Sequence, residues 1–335
     1  MLTALLTILL FCVMIIPHEF GHFIVAKLVG VQVNEFSMGM GPAIFQRQRG
    51  ETLYSVRLLP LGGYCAMEAE DEESDNPRAF TNKSAWEKFL VLIAGAAMNV
   101  VTALLVMIIA VTAYGMPSNT LGTVTSGQPA AKAGIAVGDT IVAINDTKTS
   151  TWSEVVSAIN SAEQGKTLQV TFKRDGKEKT VSVTPSYSKK DKRYEIGIAC
   201  GRSHNLFRGI KYGAISTWNL NKLMIKSLGM LFNGKAGMDD ITGPVGMVSM
   251  VNQTSSYGGI YYMYLVALIC LNLAYINLLP IPALDGGRIL FLIIRKLTRG
   301  RVSENAEGYF HLVGMTLLLV LFVFVTWNDI TRLFR

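Results

Sequence analysis

Apolar windows about as long as a bilayer is thick constrain this chain more than any other feature. A transmembrane helix needs about 20 predominantly apolar residues. Residues 1–29, 89–116 and 309–327 reach or approach that length. A fourth window, 260–294, is apolar but interrupted by Asn, Pro, Asp and Gly. Hydrophobic residues make up 50% of the 335. That is too apolar for an ordinary soluble chain, and the length allows several spans plus one folded module. The expectation is a polytopic α-helical membrane protein with about four transmembrane helices. The first window has no Lys or Arg ahead of it and no small-residue cleavage site, so it reads as a retained span and not as a signal peptide.

The net charge of +7 does not call for nucleic acid as a partner. No long basic block interleaves with aromatics, and basic loops on a membrane protein account for the sum. The four cysteines (Cys12, Cys65, Cys200 and Cys270) stand singly, which fits neither a disulfide framework nor a cysteine zinc site.

Loop charge sets an orientation. Arg295, Lys296, Arg299 and Arg301 fall in the short connection 295–306, which should be cytoplasmic. With four spans, both termini and the long middle segment then lie outside, and segment 30–87 lies inside or dips into the bilayer. His18 follows the start of the first span by 16 residues, roughly 24 Å at helical rise. Asp285 precedes Arg295 by ten residues. Both polar sites therefore fall in the cytoplasmic half and can meet.

The first span contains His18-Glu19-Phe20-Gly21-His22, an HExxH pattern. Spacing i, i+4 places both imidazoles on one helix face, suited to one tetrahedral zinc. Glu19, beside the first ligand, is positioned to act as general base. A chance match is disfavoured because unpaired His and Glu are hard to keep in hydrocarbon. Pro17 removes a helical hydrogen bond to residue 13 and should loosen the turn before the ligands. The third ligand has several candidates. Asp285 sits in Asn277-Leu-Leu-Pro-Ile-Pro-Ala-Leu-Asp285-Gly-Gly-Arg288, where its bland alternative is an Asp-Gly turn with Arg288 on the carboxylate. His311 in the last span, and Glu51 or another downstream glutamate in the polar segment, are the others. Depth and the helix break favour Asp285.

HEFGH in the first span with NLLPIPALDGG in a later one resembles the site-two protease family of intramembrane zinc metalloproteases. The likeness is to the bacterial branch with a single PDZ domain inserted between the second and third spans. That resemblance implies one zinc per chain held by His18, His22 and Asp285, with Glu19 as catalytic base. It implies cleavage of transmembrane segments of single-span proteins, such as anti-sigma factors or signal-peptide remnants, in a bacterial cell membrane. It places Asn272, Asn277 and Pro280, followed by Pro282, near substrate. Gly95-Ala-Ala-Met-Asn99 resembles the family's Gly-x-x-x-Asn, with Asn99 either at the oxyanion or bonding across helices. Arg288 stands where some relatives carry His. A membrane-anchored PDZ receptor with a non-catalytic metal site is the alternative. A metal transporter is a third class, disfavoured because this chain lacks the repeated half that many transporters show.

Three short strand-like runs, 31–36, 43–48 and 53–58, follow the first span, with a turn at 60–63 before 64–67. They predict a small sheet whose Leu53–Leu58 edge could pair with an unwound substrate, and the family resemblance implies a membrane-dipping hairpin at about 54–67. Residues 118–200 resemble a bacterial PDZ domain, extracytoplasmic by the charge rule. Its helix falls over 151–162, its hairpin around Asp175-Gly176, and its groove-loop at Glu195–Ile198. Such a groove could read a new substrate C-terminus or act as a size filter. Segment 201–257 is predicted to lie along the membrane surface, with Asp239 and Asp240 most simply a solvated turn. The spans expected are thus 1–29, 88–116, 258–294 and 307–328.

Overall fold

The computed structural model describes residues 1–70, 74–145, 147–161, 166–188, 193–233, 243–298 and 304–333. The chain divides into two compact units, one of residues 1–107 with 213–335 and one of residues 108–212.

The larger unit begins with α1 (Leu2–Leu28), which runs unbroken through Pro17. Proline leaves the carbonyl four residues back without its amide. That carbonyl, on Val13, instead faces the Cys270 thiol at 3.9 Å. A neighbouring helix has re-satisfied the break, so the expected loosening is absent. Two strands follow, β1 (Val33–Arg49) and β2 (Thr52–Met67). Then comes α2 (Ala85–Tyr114), started by Ser84 and Glu87, whose side chains each bond the other's backbone amide, a capping box.

The β1–β2 pairing departs from three short strands. Both strands are long and bent. Phe36 pairs with Cys65 and also with Tyr54, and Tyr54 pairs in addition with Arg47. The sheet therefore has four segments in the order 43–49, 52–59, 33–38, 63–67. Val56 and Gly63 are both partners of Met38, so the chain swings across β1 between them, with Gly62 at φ +105°. One expectation is corrected here. Leu53–Val56 is an interior segment with partners on both sides, so it has no free edge for a substrate. The edges are 43–48 and 63–67.

The smaller unit is built from β3 (Met116–Val124), α3 (Pro129–Lys132), β4 (Thr140–Ile144), β5 (Thr147–Lys148), α4 (Trp152–Asn160), β6 (Leu168–Arg174), β7 (Lys177–Val183), β8 (Ser186–Ser188), β9 (Arg193–Glu195) and β10 (Ile198–Ser203). Its main sheet has the order β10-β3-β4-β6-β7, with β5 beside β4. Alternation puts Leu168, Val170 and Phe172 of β6 inward, against Leu121, Ile141 and Val155. The β6–β7 turn uses Asp175 and Gly176, both at positive φ, as a two-residue hairpin requires. Thr151 caps α4 with a reciprocal Glu154 bond. β10 lies at the sheet edge after Gly197, which has φ +78°. These are the parts expected of the PDZ-like segment.

The chain continues with α5 (Leu206–Phe232), α6 (Pro244–Ser256), α7 (Gly259–Asn277), α8 (Asp285–Leu297) and α9 (Glu304–Leu333). The described residues include four helices long and apolar enough to cross a membrane: Leu2–Leu28, Ala85–Tyr114, Gly259–Asn277 and Gly308–Thr331. The window 258–294 is not one helix. α7 stops at Asn277, since Pro280 and Pro282 cannot continue it. Asp285 opens a separate helix, α8. Asp239, Asp240, Arg299 and Arg301 lie outside the described residues.

Candidate metal centre

Four segments of the larger unit build the site. α1 supplies His18 and His22, buried on one face as their i, i+4 spacing dictates. α2 lies directly behind the rings. A Cβ on Gly95 would sit 2.3 Å from His22 Nε2 and 2.6 Å from His18 Cε1. Gly95 is therefore required by the imidazoles themselves. Gly21 meets the α2 backbone in the same way, its added Cβ falling 2.4 Å from the Ala94 carbonyl oxygen.

Asp285 arrives from the turn between α7 and α8. Ala283 takes a left-handed φ of +67°. Gly286 and Gly287 are buried, and a Cβ on them would fall 2.2 Å from Leu279 O and 2.3 Å from Ile281 O. The double glycine thus lets the first turn of α8 fold back onto residues 278–282, and that places the Asp285 carboxylate. Arg288 does not hold it. Arg288 pairs with Glu70 at 2.6 Å.

His18 Nε2 and His22 Nε2 are each 3.4 Å from Asp285 Oδ2, and 3.3 Å from one another. Three ligand atoms on a tetrahedral ion with bonds near 2.0–2.1 Å stand roughly 3.3–3.4 Å apart. The triangle therefore has the size zinc asks for, and its chemistry, two imidazoles and a carboxylate, suits zinc as well. Asp285 Oδ2 is buried and lacks a hydrogen-bond donor. A cation is what such an oxygen needs. His22 Nδ1 lies 2.8 Å from the Val91 carbonyl oxygen. Donating there leaves the Nε2 lone pair facing the triangle.

Glu19 follows His18 on α1, within electrostatic range of His22, His18 and Asp285. Gly63 of β2 lies against it, with an added Cβ falling 3.4 Å from Glu19 Cγ. Asn277 Nδ2 is 3.0 Å from His18 Nε2, and Asn99 Nδ2 is 3.3 Å from His18 Nδ1. Asn272 lies on α7 before Asn277, and Pro280 is exposed in the following turn. Neither is brought to the rings by a described hydrogen bond. Glu51 is engaged elsewhere, with Lys27 at 2.5 Å and Arg78 at 2.6 Å. These partners, Arg78 first, hold its carboxyl down at about 2. The side chain of His311 lies outside the described residues. Among the described residues, His18, His22 and Asp285 form the group able to hold a metal ion. The Val91 carbonyl was invisible to sequence reasoning, because every residue carries one.

A sequence profile described as Peptidase family M50 matches residues 6–321. A Clostridium acetobutylicum protein provisionally named a zinc metalloprotease is 38% identical over 97% of this chain and 96% of its own. The regulator of sigma-W protease RasP of Bacillus subtilis is 29% identical, over 99% of each chain. The zinc metalloprotease RasP of Geobacillus kaustophilus is 30% identical over 98% of this chain and 97% of its own. Among solved structures, the PDZ domain of an SdrC-like protein from Listeria innocua aligns with 26% of this chain and 99% of its own, at 24% identity and a TM-score of 0.24.

Proposed function

Because the chain belongs to peptidase family M50 and is a membrane-embedded zinc metalloprotease, we propose that it hydrolyses peptide bonds inside the transmembrane segments of single-span proteins. The observation that carries this reading is the 3.3–3.4 Å triangle of His18, His22 and Asp285, with both histidines on a helix of membrane-spanning length. The chemistry zinc supplies when bound there is Lewis acidity, which polarises a carbonyl and makes water a stronger acid.

The residues divide the remaining work. Glu19 takes a proton from the attacking water and passes it to the leaving amine. Asn277, beside His18, offers an N–H to the scissile carbonyl oxygen, where its charge grows in the transition state. Asn272 and Pro280, on either side of Asn277, line the approach. A substrate helix must unwind to expose a carbonyl, and the free edge 63–67 of β2 begins against Glu19. An extended substrate adding to that edge would regain backbone hydrogen bonds close to the base. Met38, Met40, Ile44, Phe45, Leu58 and Leu59 are exposed around the far end of the sheet, which suits a hairpin dipping into lipid. The basic end of α8, with Arg295 and Lys296, supports a cytoplasmic-side site and an extracytoplasmic PDZ-like unit. By analogy with the relative named for regulating sigma-W, anti-sigma factors and signal-peptide remnants are the substrates proposed, their new C-termini read by that unit.

Glu19→Gln tests the reading in purified protein reconstituted with a single-span substrate. Zinc content should be unchanged while cleavage falls by about 10²–10⁴-fold, the usual contribution of a positioned acid–base group. Undiminished cleavage would remove Glu19 from the mechanism. A zinc-free wild type at full activity would remove the metal.

A further inference from the structure

The two imidazoles of the site are backed differently. His22 has a backbone carbonyl behind it, at 2.8 Å. His18 has the Asn99 side chain, with the amide nitrogen at 3.3 Å from Nδ1. On its other side, His18 Nε2 faces the Asn277 amide nitrogen at 3.0 Å. A neutral imidazole has one donor nitrogen and one acceptor nitrogen. It cannot accept from an amide on both sides. If Asn99 donates to Nδ1, the ring proton moves to Nε2, and Nε2 has no lone pair for a metal. If Asn277 donates to Nε2, the proton sits on Nδ1 and needs an acceptor behind it.

Asn99 can be that acceptor. It is fully buried at 0% exposure, and its Oδ1 meets no donor where it stands. The oxygen and nitrogen of a side-chain amide are nearly isosteric and exchange places by a half-turn about the terminal bond. After that half-turn the oxygen faces His18 Nδ1 across the same gap. We propose that Asn99 is a positioning residue whose amide oxygen accepts the His18 Nδ1–H, fixing the tautomer that turns the Nε2 lone pair toward His22 and Asp285. α2 then orients both ligand rings, His22 through the Val91 carbonyl and His18 through Asn99, the latter eight residues, or just over two helical turns, further along. Asn99 acts behind the ring and does not touch substrate. The assignment rests on His18, His22 and Asp285 being the zinc ligands.

The test is zinc affinity of the full chain, measured by competition with a chelator, on wild type, Asn99→Leu, Asn99→Asp and His22→Ala. Asn99→Leu fills the same space without an acceptor and should weaken binding by about 10–100-fold, the usual effect of losing an outer partner. Asn99→Asp accepts but cannot donate, and should bind zinc at least as tightly as wild type. The visible spectrum of the cobalt-substituted protein should be altered by Leu and preserved by Asp. Wild-type affinity in Asn99→Leu, or equal losses in Leu and Asp, overturns the proposal. Should Asn99→Leu not fold, Asn99→Asp decides alone: retained affinity supports the acceptor role, and a loss beyond tenfold refutes it. Undiminished zinc binding in His22→Ala refutes the ligand set and this inference together. Loss in His22→Ala with none in Asn99→Leu refutes the inference only.

Discussion

Buried polar groups find partners over different distances in the two units. In residues 108–212 the buried Asp139 and the α4 cap are served by close neighbours in sequence and by one strand of the sheet. Asp139 accepts from the Ala136 amide three residues away and from Arg174 35 residues away, while Thr151 and Glu154 cap α4 within a single turn. Around the metal centre the separations are 69 residues for His22 and Val91, 81 for His18 and Asn99, and 259 for His18 and Asn277. The physical settings differ as well. The smaller unit is held by a buried apolar cluster that includes Leu121, Ile141, Val170 and Phe172, the product of water driving apolar groups together. Between spans, lipid is as apolar as any side chain, so close approach at small residues and polar pairs must fix the helices instead. Gly21 against the α2 backbone, and Gly95 with the imidazoles it accommodates, are those devices.

The comparison is tested most severely at Gly95. Gly95→Leu would push a side chain into the space of both imidazoles. Zinc affinity should fall by more than the roughly 10–100-fold typical of a lost outer partner. Amide exchange of β6, measured by hydrogen–deuterium exchange on the intact chain, should be unchanged. Faster exchange in β6 would mean that the two units do not hold their structure independently.

The buried Asp139 carboxylate, paired with the partly exposed Arg174, gives the converse, with an intermediate effect. Asp139→Asn should destabilise residues 108–212 by about 1–3 kcal/mol and leave bound zinc untouched. The Arg174 guanidinium holds the Asp139 carboxyl below its ordinary value. A carboxyl lowered in the folded state stabilises fully above its unfolded value, near 4. That contribution is lost as pH falls further through the lower folded value. The protection factors of β6, which are normalised to the intrinsic exchange rate at each pH, should therefore fall below about pH 4 in wild type, and less steeply in Asp139→Asn. An acid response identical in both would separate Asp139 from it.

The smallest expected effect is at the α4 cap. Thr151→Ala should cost about 1 kcal/mol, read as roughly fivefold faster exchange confined to α4 and its neighbours. Faster exchange reaching α1 or α2 would break the distinction between locally and remotely partnered units.

Much of the smaller unit was legible because its signals are local. Strand alternation, Asp175-Gly176 and the Thr151 cap each operate within a few residues, so the sequence indicates them directly. The sheet after α1 was only half legible. Its strand-forming runs were visible, but which run is interior depends on β1 bending through Gly39 and Gly41, both at positive φ. That bend moved the free edge from Leu53–Leu58 to 63–67. Pro17 misled in a similar way. Its rule is local, whereas the compensation at Val13 comes from Cys270, 257 residues away.

What the sequence determined by itself was the set of apolar windows and the pairing of His18 with His22, because helical periodicity ties i to i+4 whatever surrounds it. It narrowed the third ligand to a few carboxylates and a histidine without separating them fully. Tertiary structure turned Glu51 to Lys27 and Arg78 and brought Asp285 to the rings, the geometry on which the proposed ligand set rests. It also decided what lies behind each ring, because a hydrogen bond across helices depends on their crossing and depth. Those quantities are set by how Gly21, Gly95, Gly286 and Gly287 let backbones approach, and no periodicity along the chain encodes them.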